Sequence, residues 1–471
     1  MLKTKIKNII LMVMVLICIY LSSNVWLKLP SFFSSDANEG KADVETTEAH
    51  IWEVLRPVKN IIKYDNYYTV LYSDNRGLWE KALNTINDAF NDFANSHVTE
   101  TAAFPSEYLK FDFNTSIPVE IFTSHMEIGN ENVNNTVKNI KNVIIDLENN
   151  NSIYIYNGEN TLKILSDKIN TRELTDLVNT INLANKTKYS TEQKIGDETI
   201  QVPVPLEQTT LNPVFVQSEL DVFDIDRINE IAKDYFRSDY DYVRKSVEVS
   251  GNLVYVYRTE KILKVNEEGL LDFYDASIEP ENSVDVYKSF VAAVNFTEEF
   301  LGFPEYGYLS NLENIHVDGS EGYRYTFSYN ILERPILFSR VRENAALQID
   351  VIGNNVVSYK RFIRKIDDKQ RDKMAQIQVI PAIDVISSNV DVSEAQNTSE
   401  NNTVMENQEA VADRLKPIKP EMIKEINNIY LGYFDLSRIS KEQVLRVVWV
   451  IETNEKTFIF NAISGLLIEE W

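Results

Sequence analysis

The sequence has little of what thiol, disulfide or metal chemistry requires. Cys18 is the single cysteine among 471 residues, and it lies within the first apolar run. This excludes an intramolecular disulfide, a cysteine-ligated zinc site and a soluble cysteine nucleophile. The four histidines, His50, His97, His125 and His316, are scattered, and none has a second histidine at metal-ligand spacing. His125 and His316 each have an acid nearby, but an exposed loop or strand histidine is the more common explanation.

The motifs of the common enzyme classes are also missing. The chain has no P-loop, no G-x-G-x-x-G, no G-x-S-x-G and no H-E-x-x-H. Asp224 and Asp226 have a spacing that suits a cation, but the rest of an EF-hand loop is absent, and a cap at a helix start fits them better. We therefore predict no enzymatic activity, no catalytic residues, no cofactor and no metal. A hydrolase with paired carboxylates is the least favoured alternative.

Positive charge is scarce as well. The chain has 47 Lys and Arg against 71 Asp and Glu, which gives a formal charge of −24. This argues against nucleic acid as a partner, because phosphate backbones bind clustered Lys and Arg. Glycine (14) and proline (13) are few, and 44% of the residues are hydrophobic. These values exclude a collagen-like or wholly disordered chain and indicate several globular domains.

The N-terminus has the pattern of a membrane anchor. Lys3, Lys5 and Lys7 precede an apolar run over residues 9–21, which extends to residue 27 with few polar interruptions. Nineteen helical residues span about 28 Å, close to the roughly 30 Å of a hydrocarbon core. A cleaved signal peptide is the alternative, but no convincing small-x-small cleavage site is present. We therefore expect a single-pass cell-membrane protein with a cytoplasmic N-terminus and the bulk of the chain extracytoplasmic.

One face of this predicted transmembrane helix carries Ile17, Tyr20 and Asn24. Polar groups at such positions make helix–helix contacts in membranes, which makes these residues candidates for a partner contact. Placement of Asn24 at the membrane–water interface explains the pattern equally well.

The remainder of the chain predicts an α+β fold, in which antiparallel sheets pack against helices in a multidomain extracytoplasmic region. Trp79, Leu83, Ile86 and Phe90, for example, have helical spacing. The predicted organisation is an anchor at 1–30, a polar tether at 31–50, an N-terminal α+β domain at 51–215, a middle α+β domain at 216–282 and a C-terminal α+β domain at 283–471.

Two further patterns refine this organisation. Residues 261–274, 347–359 and 457–471 each read as an apolar strand, a glycine-containing turn and a second apolar strand. Three such hairpins suggest repeated α+β modules. Residues 375–413 contain no Lys or Arg, and we predict an acidic disordered insertion at about 387–413 within the last domain.

Aromatic residues alternate along one predicted strand. Tyr323, Tyr325, Phe327 and Tyr329 occupy every second position, so their side chains share one face. That face is a candidate platform for a ligand or a partner. A sheet face packed on a helix is the more common arrangement for such a pattern.

The order of several segments resembles a known family. The start KTKIKNIILMVMVLICIYLSSNVWL, the segments WEVLRPVKNII and LWEKALNTI, and the closing segments IYLGY, VVWVI and FIFNAISGLLIEEW are together similar to YycH-type proteins. These are membrane-anchored regulators of the WalK (YycG) sensor histidine kinase of Gram-positive bacteria. The closing segments are also similar to a module shared with the related YycI proteins, which is PepSY-like in pattern. The acidic insertion has no counterpart in the family pattern.

The resemblance implies three non-enzymatic ectodomain units. It also implies contact with the kinase through the transmembrane helix and the ectodomain, a YycI-like protein as a second partner, and control of cell-wall metabolism. A surface-anchored PepSY-like binding module or protease inhibitor that is not coupled to a kinase remains the alternative.

Overall fold

The computed structural model describes ten segments of the chain. These are residues 51–73, 77–101, 103–207, 209–277, 284–317, 319–340, 345–367, 376–390, 417–436 and 442–471. The predicted anchor and tether lie outside the described residues, as does the predicted acidic insertion from residue 391 onward. Within the described segments, no helix is both long enough and apolar enough to cross a membrane.

Seven α-helices are present in these segments. They are α1 (Leu78–Asn91), α2 (Val119–His125), α3 (Glu131–Val137), α4 (Arg172–Asn179), α5 (Ile225–Phe236), α6 (Val286–Glu299) and α7 (Ala382–Asn389). Shorter 3₁₀ turns occur at Leu183–Asn185, Arg237–Tyr242 and Pro420–Glu425.

The first half of the chain forms one nine-stranded sheet within the described residues. Its order is β11-β8-β2-β1-β4-β5-β6-β7-β3. The strands are β1 (Lys59–Tyr64), β2 (Tyr67–Leu71), β3 (His97–Glu100), β4 (Tyr108–Pro118), β5 (Asn139–Asp146), β6 (Ser152–Tyr156), β7 (Thr161–Leu165), β8 (Tyr189–Ser190) and β11 (Val204–Pro205), and a separate two-stranded ribbon joins β9 (Lys194–Ile195) to β10 (Glu198–Thr199).

The second half of the chain forms a larger sheet of fifteen described strands. Its main path is β14-β15-β16-β17-β22-β21-β19-β20-β25-β26-β13-β23, with β18 on β19 and β27-β28 on β26. The strands are β13 (Val214–Ser218), β14 (Arg244–Val247), β15 (Leu253–Tyr257), β16 (Lys261–Val265), β17 (Leu271–Asp275), β18 (Gly307–Val317), β19 (Ser320–Ile331), β20 (Arg334–Phe338), β21 (Leu347–Ile352), β22 (Asn355–Arg361), β23 (Arg364–Ile366), β25 (Asn428–Asp435), β26 (Glu442–Glu452), β27 (Thr457–Asn461) and β28 (Leu467–Glu470), while β12 (Thr210–Leu211) pairs separately with β24 (Ile377–Gln378).

The three echoed sequence segments are the closing hairpins of three antiparallel meanders. They form β16–β17, β21–β22 and β27–β28. Each hairpin ends a four-stranded run, namely β14 to β17, β18-β19-β21-β22, and β25 to β28. The first two runs follow a helix, α5 or α6. The first two runs join edge to edge, because β17 pairs with β22. The third run is joined through β20, which pairs with β19 of the second run and, in parallel, with β25.

Two of the helices, α5 and α6, begin where a short acidic side chain caps free backbone amides. Asp224 accepts a hydrogen bond from the backbone amide of Arg227 at the start of α5, and Asp285 accepts two at the start of α6. This is the capping role favoured for Asp224 on sequence grounds. The apolar faces of the helices then pack on the sheets, so that Ile86 and Phe90 of α1 and Phe290 of α6 are fully buried. The fold is therefore the α+β arrangement of sheets and packed helices that the sequence indicates.

Candidate functional site

The structure places the predicted aromatic face of β19 in the protein core. Tyr325 and Phe327 are fully buried, Tyr329 is 3% exposed, and Tyr323 is partly buried. The ring of Phe290 on α6 lies 5.4 Å from the ring of Tyr325 and 6.4 Å from that of Phe327. In this conformation the face is a sheet surface packed on a helix, and Tyr323 at its end is the one ring with partial exposure.

The hydroxyl groups of this face are used inside the molecule. Tyr325 donates a hydrogen bond to the carbonyl of Val286, at 3.1 Å. The hydroxyl of Tyr329 both donates to the carbonyl of Arg364, at 3.0 Å, and accepts from its amide, at 2.8 Å. Burial raises the pKa of both tyrosines above the ordinary value of 10.0. These hydroxyls therefore fix strand positions and are not available to a ligand.

Ile17, Tyr20 and Asn24 lie outside the described residues. Their proposed contact with a membrane partner therefore remains a prediction. His125, which has an acid nearby in the sequence, contacts α6, since its Nδ1 lies 3.1 Å from the hydroxyl oxygen of Tyr287. Its ring also packs against that of Trp52, with 4.7 Å between centroids. This histidine joins the first half of the chain to the second.

The main candidate site is the junction where the first sheet meets the second. Lys59 of β1 donates a hydrogen bond from Nζ to Oδ1 of Asn428 on β25, at 2.6 Å. Its Nζ also lies 3.8 Å from Oδ2 of Asp112. Burial lowers the pKa of the Lys59 ammonium below its usual 10.5, and the charge of Asp112 partly opposes that shift. A buried cation thus connects the two sheets.

The network continues through Asn428 into the second sheet. Asn428 donates through Nδ2 to Oε2 of Glu452, at 2.9 Å, and Tyr430 donates to the other oxygen of Glu452, at 3.1 Å. The amide group of Asn428 accepts from the first sheet and donates to the second, so its orientation is fixed by both neighbours. Removal of either neighbour leaves a buried polar group without its partner.

Tyr72, directly after β2, forms a second part of the junction. Its carbonyl accepts a hydrogen bond from Nδ2 of Asn330, at 3.0 Å, and the guanidinium of Arg334 lies 5.4 Å from its ring centroid. The adjacent Ser73 donates to Glu333, at 2.9 Å. Burial raises the pKa of Tyr72 well above 10.0. Polar and cation–π contacts therefore connect the sheets here.

Two clefts flank Tyr72. One, of about 530 Å³, is lined by residues of both sheets, including Lys59, Tyr72, Arg324, Asn428 and Trp471. The other, of about 730 Å³, is also lined by Tyr72 and reaches Arg361 and Tyr306. Interfaces between parts of one chain that are polar and incompletely packed permit relative movement. At this junction, clefts and polar contacts lie beside the hydrophobic core that both sheets share.

Below the second cleft, two buried arginines hold the second sheet together. Arg361 binds Glu219 through two hydrogen bonds, of 2.6 and 2.9 Å, and Arg364 binds Asp435, at 2.7 Å. Burial opposes ionisation of Glu219, but the hydrogen bonds and charge of Arg361, together with Lys365, outweigh it and keep the pKa of that carboxyl below 4.5. Since each carboxylate is matched by an arginine, this cluster is structural.

Sequence reasoning did not single out the residues of the junction. Lys59 and Asn428 are separated by 369 positions, so no local pattern brings them together. Arg361 did leave a signal, because it follows Val357 and Tyr359 at every second position, on the inward face of β22. A charged residue at an inward position of a strand predicts a buried partner of opposite charge, but it does not say which one.

In the residues that the structure describes, no three or more His, Cys, Asp and Glu side chains are grouped as a metal site would need. The geometry of the junction suits contact and movement: hydrogen bonds between elements far apart in the chain, two clefts and one buried cation.

Comparison with known proteins agrees with this architecture. Residues 4–185 match the family model described as YycH protein, N-terminal domain. No curated protein matches the sequence at a significant level. The crystal structure of YycH from Bacillus subtilis is similar, with a TM-score of 0.54 at 14% identity, over 87% of this chain and 96% of that one.

A second solved structure, an uncharacterized protein from Eubacterium rectale, has a TM-score of 0.36 at 9% identity and covers 55% of this chain and 86% of its own. That likeness is too weak to support an argument. The similarity to the Bacillus subtilis YycH structure establishes a common fold. The family model matches the N-terminal part of the chain. Together they show a YycH N-terminal domain over residues 4–185 and a fold shared with YycH over most of the chain.

Proposed function

We propose that this chain is an accessory protein that regulates a sensor histidine kinase of the WalK (YycG) type, and through it cell-wall metabolism. The observation that carries the proposal is the YycH N-terminal match over residues 4–185, together with a YycH fold over 87% of the chain. The family and the fold fit a regulator of this kinase. The protein acts by contact and not by catalysis.

A contact regulator works through differential affinity. A kinase in equilibrium between two states responds only if the regulator binds one state more tightly than the other. A tenfold preference corresponds to about 1.4 kcal/mol. The regulator must therefore hold its binding surfaces in a defined relation to one another, and the polar junction at Lys59 and Asn428 is well suited to adjust that relation.

We further propose two contact regions and a topology. The N-terminal helix anchors the chain in the cell membrane as a single span with its N-terminus in the cytoplasm, and Ile17, Tyr20 and Asn24 face the partner within the membrane. The rest of the chain is extracytoplasmic, where it meets the kinase ectodomain and a YycI-like protein. The match begins at residue 4 and so includes the anchor segment.

The first experiment is co-purification of the full-length chain with the WalK-type kinase of its own cell from mild-detergent membranes. A parallel protein carries an unrelated signal anchor in place of residues 1–30. Capture by the native chain and loss with the replaced anchor support contact through the membrane helix. Capture by both supports contact through the ectodomain. Absence of capture by either, with both proteins folded and in the membrane, contradicts the proposal and favours a PepSY-like binding module without a kinase.

A second test asks whether partner contact depends on the Ile17, Tyr20 and Asn24 face of the predicted helix or only on the presence of a helix. Asn24→Leu removes the polar group of the proposed face, and Ser23→Leu changes the neighbouring position, which lies on another side of the helix. The proposal expects reduced capture with Asn24→Leu and normal capture with Ser23→Leu. Equal capture of both variants contradicts a role for Asn24 in partner contact.

A further inference from the structure

One edge of the fifteen-stranded sheet is open to solvent. β14 pairs with β15 on one side and with no other strand of the described residues. All four residues of β14 are exposed. An uncovered edge offers a row of backbone donors and acceptors to another strand. Either its side chains prevent pairing with other chains, or a partner strand covers the edge.

The register shows which backbone groups of β14 point outward. The amide of Glu248 donates to the carbonyl of Asn252, at 2.9 Å, and the register pairs Ser246 with Val254. Because hydrogen-bonded pairs alternate in an antiparallel ladder, Ser246 also directs its backbone groups toward β15. Lys245 and Val247 therefore direct their amides and carbonyls away from the sheet.

This edge is complementary to itself. In an antiparallel pairing centred on Ser246, Lys245 of one copy lies opposite Val247 of the other, and both contribute outward-facing groups. The same register puts Arg244 opposite Glu248, in a pair without backbone hydrogen bonds, where side chains come closest. We propose that β14 pairs with β14 of a second copy of this chain, about a twofold axis at Ser246, so that Arg244 of each copy binds Glu248 of the other.

The side chains of Arg244 and Glu248 have groups available for this pairing. Arg244 is exposed and makes no ion pair with any described residue. Glu248 contacts Lys264, Asn252 and Ser250 in its own chain, and all these contacts use Oε2. Its Oε1 is left to accept from an arginine across the axis. Arginine and carboxylate form the stronger, charge-assisted type of hydrogen bond.

A lysine on an edge strand commonly repels other strands. Lys245 does not extend from the edge toward another strand. Its Nζ donates to Oδ1 of Asn229 on α5, at 2.8 Å, and lies 5.4 Å from the ring centroid of Tyr255. Nearby apolar groups are left in water, since Val247 is 65% exposed and Val249 is fully exposed. A second copy paired at this edge would take part of Val247 out of water. Such a twofold contact is the usual form of a homodimer interface.

Disulfide trapping tests the axis directly. In the full-length chain with Cys18→Ser, Ser246→Cys puts two thiols opposite each other at roughly 4.5 Å between Cα atoms, within disulfide range. Ser250→Cys is the matched control, since its two copies would be roughly 20 Å or more apart. We expect covalent dimer from Ser246→Cys under mild oxidation and little from Ser250→Cys. Equal yields, or none from Ser246→Cys, overturn the proposal.

Charge exchange tests the register independently. Arg244→Glu alone and Glu248→Arg alone place like charges opposite each other twice per dimer, and each should weaken dimerisation about tenfold or more. Mixing the two variants restores both opposite-charge pairs, so the mixed dimer should form as tightly as the native one. Sedimentation of the full-length proteins in mild detergent measures this, and thermal unfolding checks each variant. Failure of the folded variants to recover on mixing overturns the pairing. The inference is independent of the kinase assignment.

Discussion

Lys59 on β1 and Asn428 on β25 are joined by a hydrogen bond of 2.6 Å across 369 positions of sequence. Asn428 in turn donates to Glu452 on β26, at 2.9 Å. Burial lowers the pKa of the Lys59 ammonium. This side chain thus connects the first sheet to the second. The bond adds a specific polar contact to the hydrophobic core that the two sheets share.

Lys59→Ala should loosen the junction. The substitution leaves Oδ1 of Asn428 without its donor and removes one of the cations near Asp112, which we expect to cost about 2 kcal/mol of unfolding free energy. Lys110→Ala is the control, because Lys110 lies 3.6 Å from the same Asp112 carboxylate but does not bind Asn428. Urea unfolding and limited proteolysis between the sheets measure the effect. Equal losses for the two variants would show that the bond to Asn428 contributes nothing.

Glu219→Gln should make stability less sensitive to acid. The Glu219 carboxyl has a lowered pKa in the folded protein, so its contribution is complete above its unfolded pKa of about 4.3 and disappears as pH falls through the folded value. At pH 7 we expect a loss of about 3 kcal/mol, since Arg361 stays buried without its partner. Below pH 4.3 the difference from the native protein should shrink.

Urea unfolding at pH 7, 5, 4 and 3 checks this prediction. Glu299→Gln serves as the control, because Glu299 pairs with Arg237 at an exposed position and such pairs contribute little. A difference between native protein and Glu219→Gln that stays constant from pH 7 to pH 3 would contradict the assigned pKa shift.

Phe327→Ala should act through stability. Its ring is fully buried against Phe290 and lies 4.9 Å from that of Phe303, so the cavity left behind should cost about 3–5 kcal/mol. Tyr242→Ala, at a side chain that is 76% exposed, should change stability by less than about 0.5 kcal/mol. Thermal and urea unfolding of the two variants measure this difference. Similar stabilities for Phe327→Ala and Tyr242→Ala would contradict the buried position of the aromatic face.

The start of α5 separates a capping role from a metal role. Asp224→Ala removes the side chain that accepts from the Arg227 amide and should cost about 1 kcal/mol. Asp226→Ala, in the first turn of the same helix, should cost only a few tenths, because it removes a favourable interaction with the helix dipole. Calcium should not change either value, and a calcium-dependent melting temperature that both substitutions abolish would support the rejected cation site.

The sequence is informative where structure depends on local order. The spacing of Trp79, Ile86 and Phe90 predicts α1, and the turn glycines of the three echoed segments predict hairpins that the structure contains. Alternation also places Tyr323 to Tyr329 on one face. It does not decide whether that face meets a partner or a helix, because α6 reaches it only through tertiary packing.

The junction lies beyond local inference for a physical reason. The contacts of Lys59 with Asn428 and of Tyr72 with Asn330 depend on how two sheets meet, and each partner alone is an ordinary strand or loop residue. The buried pair of Arg361 and Glu219 is intermediate, since the inward arginine is visible in the sequence and its partner, 142 positions away, is not.

We propose above that this protein regulates a WalK-type kinase by contact. The most direct measurement is the autophosphorylation rate of the purified WalK-type kinase in vesicles, with and without the full-length chain. We predict a change in rate that saturates with the amount of the chain and that is reduced when residues 1–30 are replaced by an unrelated anchor. An unchanged rate, with the folded chain present in excess in the same vesicles, would contradict it.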